Sequence, residues 1–94
     1  NNGSVTISDA LEGTASSATW IQGPSSTLSV GDDLFATATP GELTASADNN
    51  TVIYASTGAE NIADATGNAY YNLTISGNND KTMLDDLSSK SGSI

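Results

Sequence analysis

Apolar and polar residues alternate over short stretches of this chain, and the stretches recur. Val5 and Ile7 flank Thr6, Leu28 and Val30 flank Ser29, and Leu73 and Ile75 flank Thr74. A two-residue period places successive side chains on opposite faces of a strand, so each stretch predicts one buried face and one face of hydroxyls. Strands are predicted over residues 4–8, 18–22, 27–30, 34–39, 43–47, 51–55, 70–76 and 81–84, with a last one starting near Gly92. The breaks between them carry turn chemistry: Asn1-Asn2-Gly3, Gly31-Asp32-Asp33, Pro40-Gly41, Asn49-Asn50, Thr66-Gly67-Asn68 and Gly77-Asn78-Asn79. Gly and Asn tolerate the left-handed backbone of tight bends. Helical patterning is confined to residues 81–90, where Met83, Leu84 and Leu87 fit one or two turns, too short to stand alone in water.

The apolar anchors Ile7, Val30, Val52, Leu73 and Ile94 are spaced by 23, 22, 21 and 21 residues. A spacing of that length, held nearly constant, predicts a stacked repeat. Because Ile94 would open a further layer, the stack is expected to continue into a neighbour. The Asn pairs at 49–50 and 78–79 are expected to stack as a ladder of side-chain amides. No stretch is long enough to be a linker, so residues 1–94 read as a single unit.

Charge removes several function classes. With two Lys, no Arg, eleven acidic residues and a formal charge of −9, almost nothing can neutralise phosphates, and nucleic-acid binding is not expected. An anionic membrane would repel the chain, and no apolar run reaches the 18 residues of a spanning helix. Self-association therefore has to use a defined, largely uncharged contact. The chain has no Cys or His, so neither disulfides nor a zinc site can supplement its small core. The Ser, Thr, Asn, Gly and Ala richness fits a secreted or cell-surface protein. With no initiator Met and no leader pattern, the chain is expected to be processed or cut from something longer.

The succession Ala18-Thr-Trp-Ile-Gln-Gly, Ser26-Thr-Leu-Ser-Val-Gly, Asn50-Thr-Val-Ile-Tyr, Gly58-Ala-Glu-Asn-Ile, then Tyr70-Tyr-Asn-Leu-Thr-Ile-Ser-Gly and Lys81-Thr-Met resembles the degenerate repeats of large bacterial surface proteins. The likeness covers roughly residues 4–84, and the Tyr70 to Gly77 block followed by Lys81-Thr82 is its most specific part. Those proteins are right-handed parallel β-helices, similar in style to autotransporter and filamentous-haemagglutinin passengers. The resemblance implies a solenoid that spans distance and presents a surface, and it brings no catalytic residues. This chain departs from the pattern in carrying acids at Asp32, Asp33, Asp80, Asp85 and Asp86, where Gly or Asn is usual.

Candidate sites are few. The pairs Asp32-Asp33 and Asp85-Asp86 suit solvated turns first. A calcium site, drawn from Asp32, Asp33, Asp48 and Asp80 with backbone carbonyls, needs six to eight oxygens and aligned layers. Catalysis is not expected, since there is no His, Cys or Arg to activate a nucleophile or clamp an anion. Glycosylation sequons occur at Asn2, Asn49 and Asn72. Trp20, Phe35, Tyr54, Tyr70 and Tyr71 suit core or inter-subunit packing, with a sugar-stacking platform as the sharper alternative. The outward Thr and Ser rows suit a solvated sheet, with an ice- or polysaccharide-binding face as the alternative.

The sequence thus predicts an all-β protein, a right-handed parallel β-helix (β-solenoid) of about four coils, each rising about 4.8 Å. Its open ends, bearing Val5 and Ile7 on one side and Leu73, Ile75 and Ile94 on the other, are expected to pair head to tail with identical subunits or adjacent repeats. The expected function is that of a structural subunit or segment of an extracellular filament, with no cofactor. One alternative is a pilin-like β-sandwich that polymerises by donating a terminal strand, which predicts a labile first strand, residues 4–8, pairing antiparallel or in another subunit's groove. The other is a monomeric carbohydrate-binding module contacting surface glycans.

Overall fold

A computed structural model of the chain describes residues 1–13, 15, 17–34, 41–63, 65–77, 79–83 and 89–90. The protein is all-β, and no helix occurs among the described residues. Ten strands follow in order: β1 (Ser4–Ile7), β2 (Thr19–Ile21), β3 (Thr27–Val30), β4 (Glu42–Ala45), β5 (Thr51–Tyr54), β6 (Glu60–Ile62), β7 (Ala65–Tyr70), β8 (Asn72–Ile75), β9 (Lys81–Met83) and β10 (Ser89–Lys90).

They form three sheets ordered β1-β3-β5-β8, β10-β7-β4-β2 and β6-β9. Among the described residues every strand pairing is parallel, as is the isolated bridge Leu11 to Leu34. The antiparallel first strand of the sandwich alternative is therefore not found: β1 pairs in parallel with β3, Ser4 facing Thr27 and Ile7 facing Val30.

Two inward columns run through the first sheet. Val5, Leu28, Val52 and Leu73 stand in one register, and Ile7, Val30, Tyr54 and Ile75 in the next. The anchor spacing is corrected here. Val30 faces Tyr54 and not Val52, so Val52 and Leu73 belong to the column of Val5, while Ile7 and Val30 belong to the other. A slip of two residues keeps every side chain on its own face, so alternation alone cannot detect it.

The core contains Leu28, Val30, Leu34, Leu43, Val52, Tyr54, Ile62, Tyr70 and Leu73 with three alanines, and Val5, Ile7, Leu11 and Trp20 pack against it. At about 1.5–3 kcal/mol for each large apolar side chain removed from water, this is the main favourable term in folding. Outward rows carry Ser4, Thr27, Thr51 and Asn72, then Thr6, Ser29, Ile53 and Thr74.

The second sheet is less regular. Leu43 pairs with Ala65 but Ala45 with Tyr70, so β7 holds three more residues between its two contacts than β4 does. The extra residues include Thr66-Gly67-Asn68, read from sequence as a turn; they bulge within a strand instead. The predicted strand over 70–76 is divided at Tyr71, whose N–H donates to the Ala45 carbonyl (2.8 Å) where the chain passes from β7 to β8. The helical reading of 81–90 gives way to strands at both ends, β9 and β10; residues 84–88 lie outside the described set.

Gly77, at a φ of 106°, closes the bend after β8. A side chain there would be strained, and its Cβ would collide with the Ser56 carbonyl.

Candidate functional site

Parallel stacking leaves edge strands. In the first sheet these are β1 and β8, and in the second β2 and β10. An edge strand presents unpaired N–H and C=O groups that can template another strand. Val5 and Ile7 lie on β1, half-buried against the core. Leu73 and Ile75 lie on β8, Leu73 buried at 1% exposure and Ile75 open at 37%. Four of the five residues named as an assembly interface therefore occupy the two outer strands of one sheet; Ile94 lies outside the described residues.

The second sheet adds a feature that apolar spacing did not single out. Ile21 on β2 is 59% exposed, the most open of the large apolar side chains described. Beside it, Trp20 donates from Nε1 to Gln22 Oε1 (2.7 Å), and the same oxygen accepts from Asn1 Nδ2 (3.1 Å). Gln22 is fully buried. The Asn1 nitrogen donates to the Ile21 carbonyl (2.6 Å) and the Gly23 N–H donates to the Asn1 carbonyl (2.8 Å).

A polar cluster sits between β5, β6, β7 and β9. Lys81 Nζ donates to the Ser56 and Gly58 carbonyls (2.8 and 2.6 Å) and lies 3.1 Å from Glu60 Oε1. Two of its three protons serve those carbonyls, and the contact with Glu60 is an ion pair. The Glu60 side chain is fully buried, and among the described residues neither of its oxygens accepts a hydrogen bond.

Nearby, the Ala63 N–H donates to Tyr54 Oη (2.9 Å), and Tyr70 Oη donates to the Ala63 carbonyl (2.7 Å). The Tyr54 and Tyr70 hydroxyls are 3.1 Å apart. With the Tyr70 proton committed to Ala63, Tyr54 is the donor between them. Burial pushes the Tyr54 phenol from its ordinary 10.0 up to about 12, and the carboxylates of Glu60 and Asp33 add to the rise against the lowering effect of its hydrogen bonds.

An open pocket of about 340 Å³ lies beside this cluster, lined by Asp33, Ala59, Glu60, Asn61, Asp80 and Thr82. Asp33 is not free there, for its Oδ1 accepts the Asn61 N–H (2.9 Å) and so ties the chain before Leu34 to β6.

The predicted calcium ligands are not assembled. Asp33 and Asp80 share the pocket, Asp32 is exposed and accepts the Asp33 N–H (2.8 Å), and Asp48 lies on a turn whose carbonyl accepts from Ser25 (2.9 Å). Among the described residues no group of three or more acidic side chains is placed to hold a metal ion. Asp85 and Asp86 lie outside them.

The Asn ladder is also corrected. Asn50 is buried, and its Nδ2 donates to the Ala45 and Ala47 carbonyls (3.0 and 2.6 Å), closing its own turn. Its backbone neighbours are Ser26, whose carbonyl accepts from Thr51, and Asn72, which donates to the Asn50 carbonyl. Asn79 instead donates to the Thr57 carbonyl (2.6 Å). Register therefore brings the pairs to different columns; Asn78 lies outside the described residues.

The aromatics named for core packing or a sugar-stacking platform differ in burial. Tyr54 and Tyr70 are buried, Trp20 and Tyr71 are half-buried, and Phe35 lies outside the described set. Among the sequon asparagines, Asn2 and Asn49 are exposed, Asn49 in a left-handed turn conformation (φ 60°), and Asn72 stands half-buried on the outward face of β8.

Comparison with known proteins found no matching family model, no matching curated protein and no matching solved structure.

Proposed function

We propose that the chain is a structural segment of an extracellular or cell-surface fibre, built as a right-handed parallel β-solenoid of about four coils. In this reading the chain turns once around the core for each step of 21–24 residues in the first sheet, the registers being Ser4 to Thr27, Thr27 to Thr51 and Thr51 to Asn72. Right-handedness follows from the strong bias of parallel crossover connections. The likeness of the Tyr70 to Gly77 block to bacterial surface repeats supports the same reading.

The observation that carries it is the in-register parallel stacking of uncharged strands with an edge at each end. None of the eleven acids lies in β1, β3, β5 or β8, so the ends of that sheet are places where a chain of charge −9 can meet a copy of itself without repulsion. A contact between unlike ends does not close, and its product is a filament. Backbone pairing supplies the affinity and the apolar columns supply the register. The role is one of scaffolding and not of catalysis.

Electron microscopy of the purified chain at neutral pH, with fibre diffraction, tests this. Fibres with a repeat near 4.8 Å along the axis are expected, the spacing of hydrogen-bonded strands. Monodisperse particles at all concentrations would remove self-assembly by this chain.

A further inference from the structure

The turn that leads into β6 forms a cradle around one ammonium group. Lys81 Nζ lies 2.8 Å from the Ser56 carbonyl, 2.6 Å from the Gly58 carbonyl and 3.1 Å from Glu60 Oε1. Three oxygens thus surround a group that carries three protons. The turn is held in that shape by other bonds: the Gly58 N–H donates to Ser56 Oγ (3.0 Å), and Asn79 Nδ2 donates to the Thr57 carbonyl (2.6 Å). Below it, the Glu60 N–H donates to the Asp80 carbonyl (3.3 Å), and Glu60 stands in register with Lys81.

This arrangement selects among cations. Calcium takes six to eight oxygens at about 2.3–2.6 Å, whereas the Lys81 ammonium is met by three at hydrogen-bonding or ion-pair distance. Among the described residues no group of three or more acidic side chains is placed to hold a metal ion. Glu60 supplies the countercharge from a fully buried side chain, and the Lys81 side chain is only 10% exposed, so its carbon stem lies in an enclosed slot. Asp33 and Asp80 line the pocket that opens beside Glu60, which gives an approaching cation a negative entrance.

We infer that the Ser56 to Glu60 turn is a binding site for a primary ammonium group, filled in this chain by its own Lys81. The tethered ammonium takes the place of a bound ion and fastens β9 to β6 in the register Glu60 to Lys81. A slip of that register leaves the Glu60 carboxylate buried without its cation, which is strongly unfavourable. The site therefore fixes what apolar alternation leaves open, since a slip of two residues conserves the alternation.

Chemical rescue tests the site, because Lys81→Ala removes the equivalent of n-propylammonium. Urea unfolding of Lys81→Ala and of the wild type is followed by circular dichroism at neutral pH and constant ionic strength. The additives are n-propylammonium, tetramethylammonium, potassium, calcium and 1-propanol. At about 0.1 M, n-propylammonium is expected to raise the folded-to-unfolded ratio of Lys81→Ala about threefold or more, as a ligand of the native state with a Kd of about 50 mM or tighter does. The wild type, whose cradle is filled, is expected not to respond. Tetramethylammonium has charge but no N–H, and 1-propanol has no charge, so neither is expected to rescue. Adding Glu60→Gln to Lys81→Ala is expected to abolish the gain. If Lys81→Ala is unfolded in buffer, recovery of its circular dichroism with rising n-propylammonium reads the same equilibrium, and no recovery overturns the site. An equal response of variant and wild type, or of n-propylammonium and tetramethylammonium, would also overturn it. Rescue by calcium or potassium but not by the amine would overturn the ammonium assignment in favour of a metal ion.

Discussion

The sheet β1-β3-β5-β8 and the cluster around β6 and β9 solve the same problem by different chemistry. In the first, four strands of four residues stack in unbroken register, apolar inside and mostly hydroxyl outside. Each layer repeats the one below, so no single contact is special. In the second, strands of three residues enclose a buried Glu60, a mostly buried Lys81 and two hydrogen-bonded tyrosines. Stability there depends on a few polar groups meeting in one arrangement, and a buried polar group left without its partner costs more than a lost contact. The regular sheet is tolerant of exchange within its pattern, and the polar cluster is not.

The largest expected effect breaks the regular sheet from inside. Leu73→Asp would place an unpaired carboxylate under β8 in a column of Val5, Leu28 and Val52. For a chain whose whole stability is on the order of 5–14 kcal/mol, loss of a cooperative melt by circular dichroism is expected. Thr74→Asp, one residue on and facing outward, is the control and is expected to fold. A well-folded Leu73→Asp protein would show that the inward face is misassigned.

Next comes the ion pair. Lys81→Met leaves the Glu60 carboxylate buried without its cation, at an expected cost of about 3–5 kcal/mol in urea unfolding. Lys81→Met combined with Glu60→Gln is expected to recover much of that loss, because the destabilisation lies in the stranded charge and not in the pair. No recovery would mean that the Lys81 bonds to the Ser56 and Gly58 carbonyls dominate.

What could be read from the sequence follows the same division. Alternation located β1, β3, β5 and the inward faces of Leu28, Val30, Val52 and Leu73, because a two-residue period survives any neighbour. It could not place Tyr54 beside Val30, since a two-residue slip conserves the pattern. Glu60–Ile62 was missed because a Glu at an inward position breaks the apolar alternation, and its burial depends on Lys81, 21 residues away. Asn50 was seen as a turn residue but assigned to a ladder, because its partners, the Ala45 and Ala47 carbonyls, are set by the bend and not by composition. The β2 edge was missed for a related reason. Ile21 and Trp20 read as ordinary strand residues, because which strand ends a sheet is set by pairing and not by alternation.

The smallest of these effects isolates a single hydroxyl of the polar cluster. Tyr54→Phe removes the acceptor of the Ala63 N–H and the proton donated to Tyr70, an expected loss of about 1–3 kcal/mol at neutral pH. The same hydroxyl gives the wild type a pH dependence. An unfolded tyrosine ionises near 10, while Tyr54 in the fold holds its proton to about 12. Between those values the unfolded state binds fewer protons, so stability is complete below pH 10, falls as pH rises, and levels off above 12. The total loss is roughly 2–3 kcal/mol at ~1.4 kcal/mol for each pH unit. Urea unfolding of both proteins from pH 8 to 12 reads the difference. Tyr54→Phe is expected to start lower and lose less, so that the two curves converge at high pH. Parallel curves would place the alkaline sensitivity elsewhere, and would leave Tyr54 as a packing residue whose hydroxyl adds nothing beyond its hydrogen bonds.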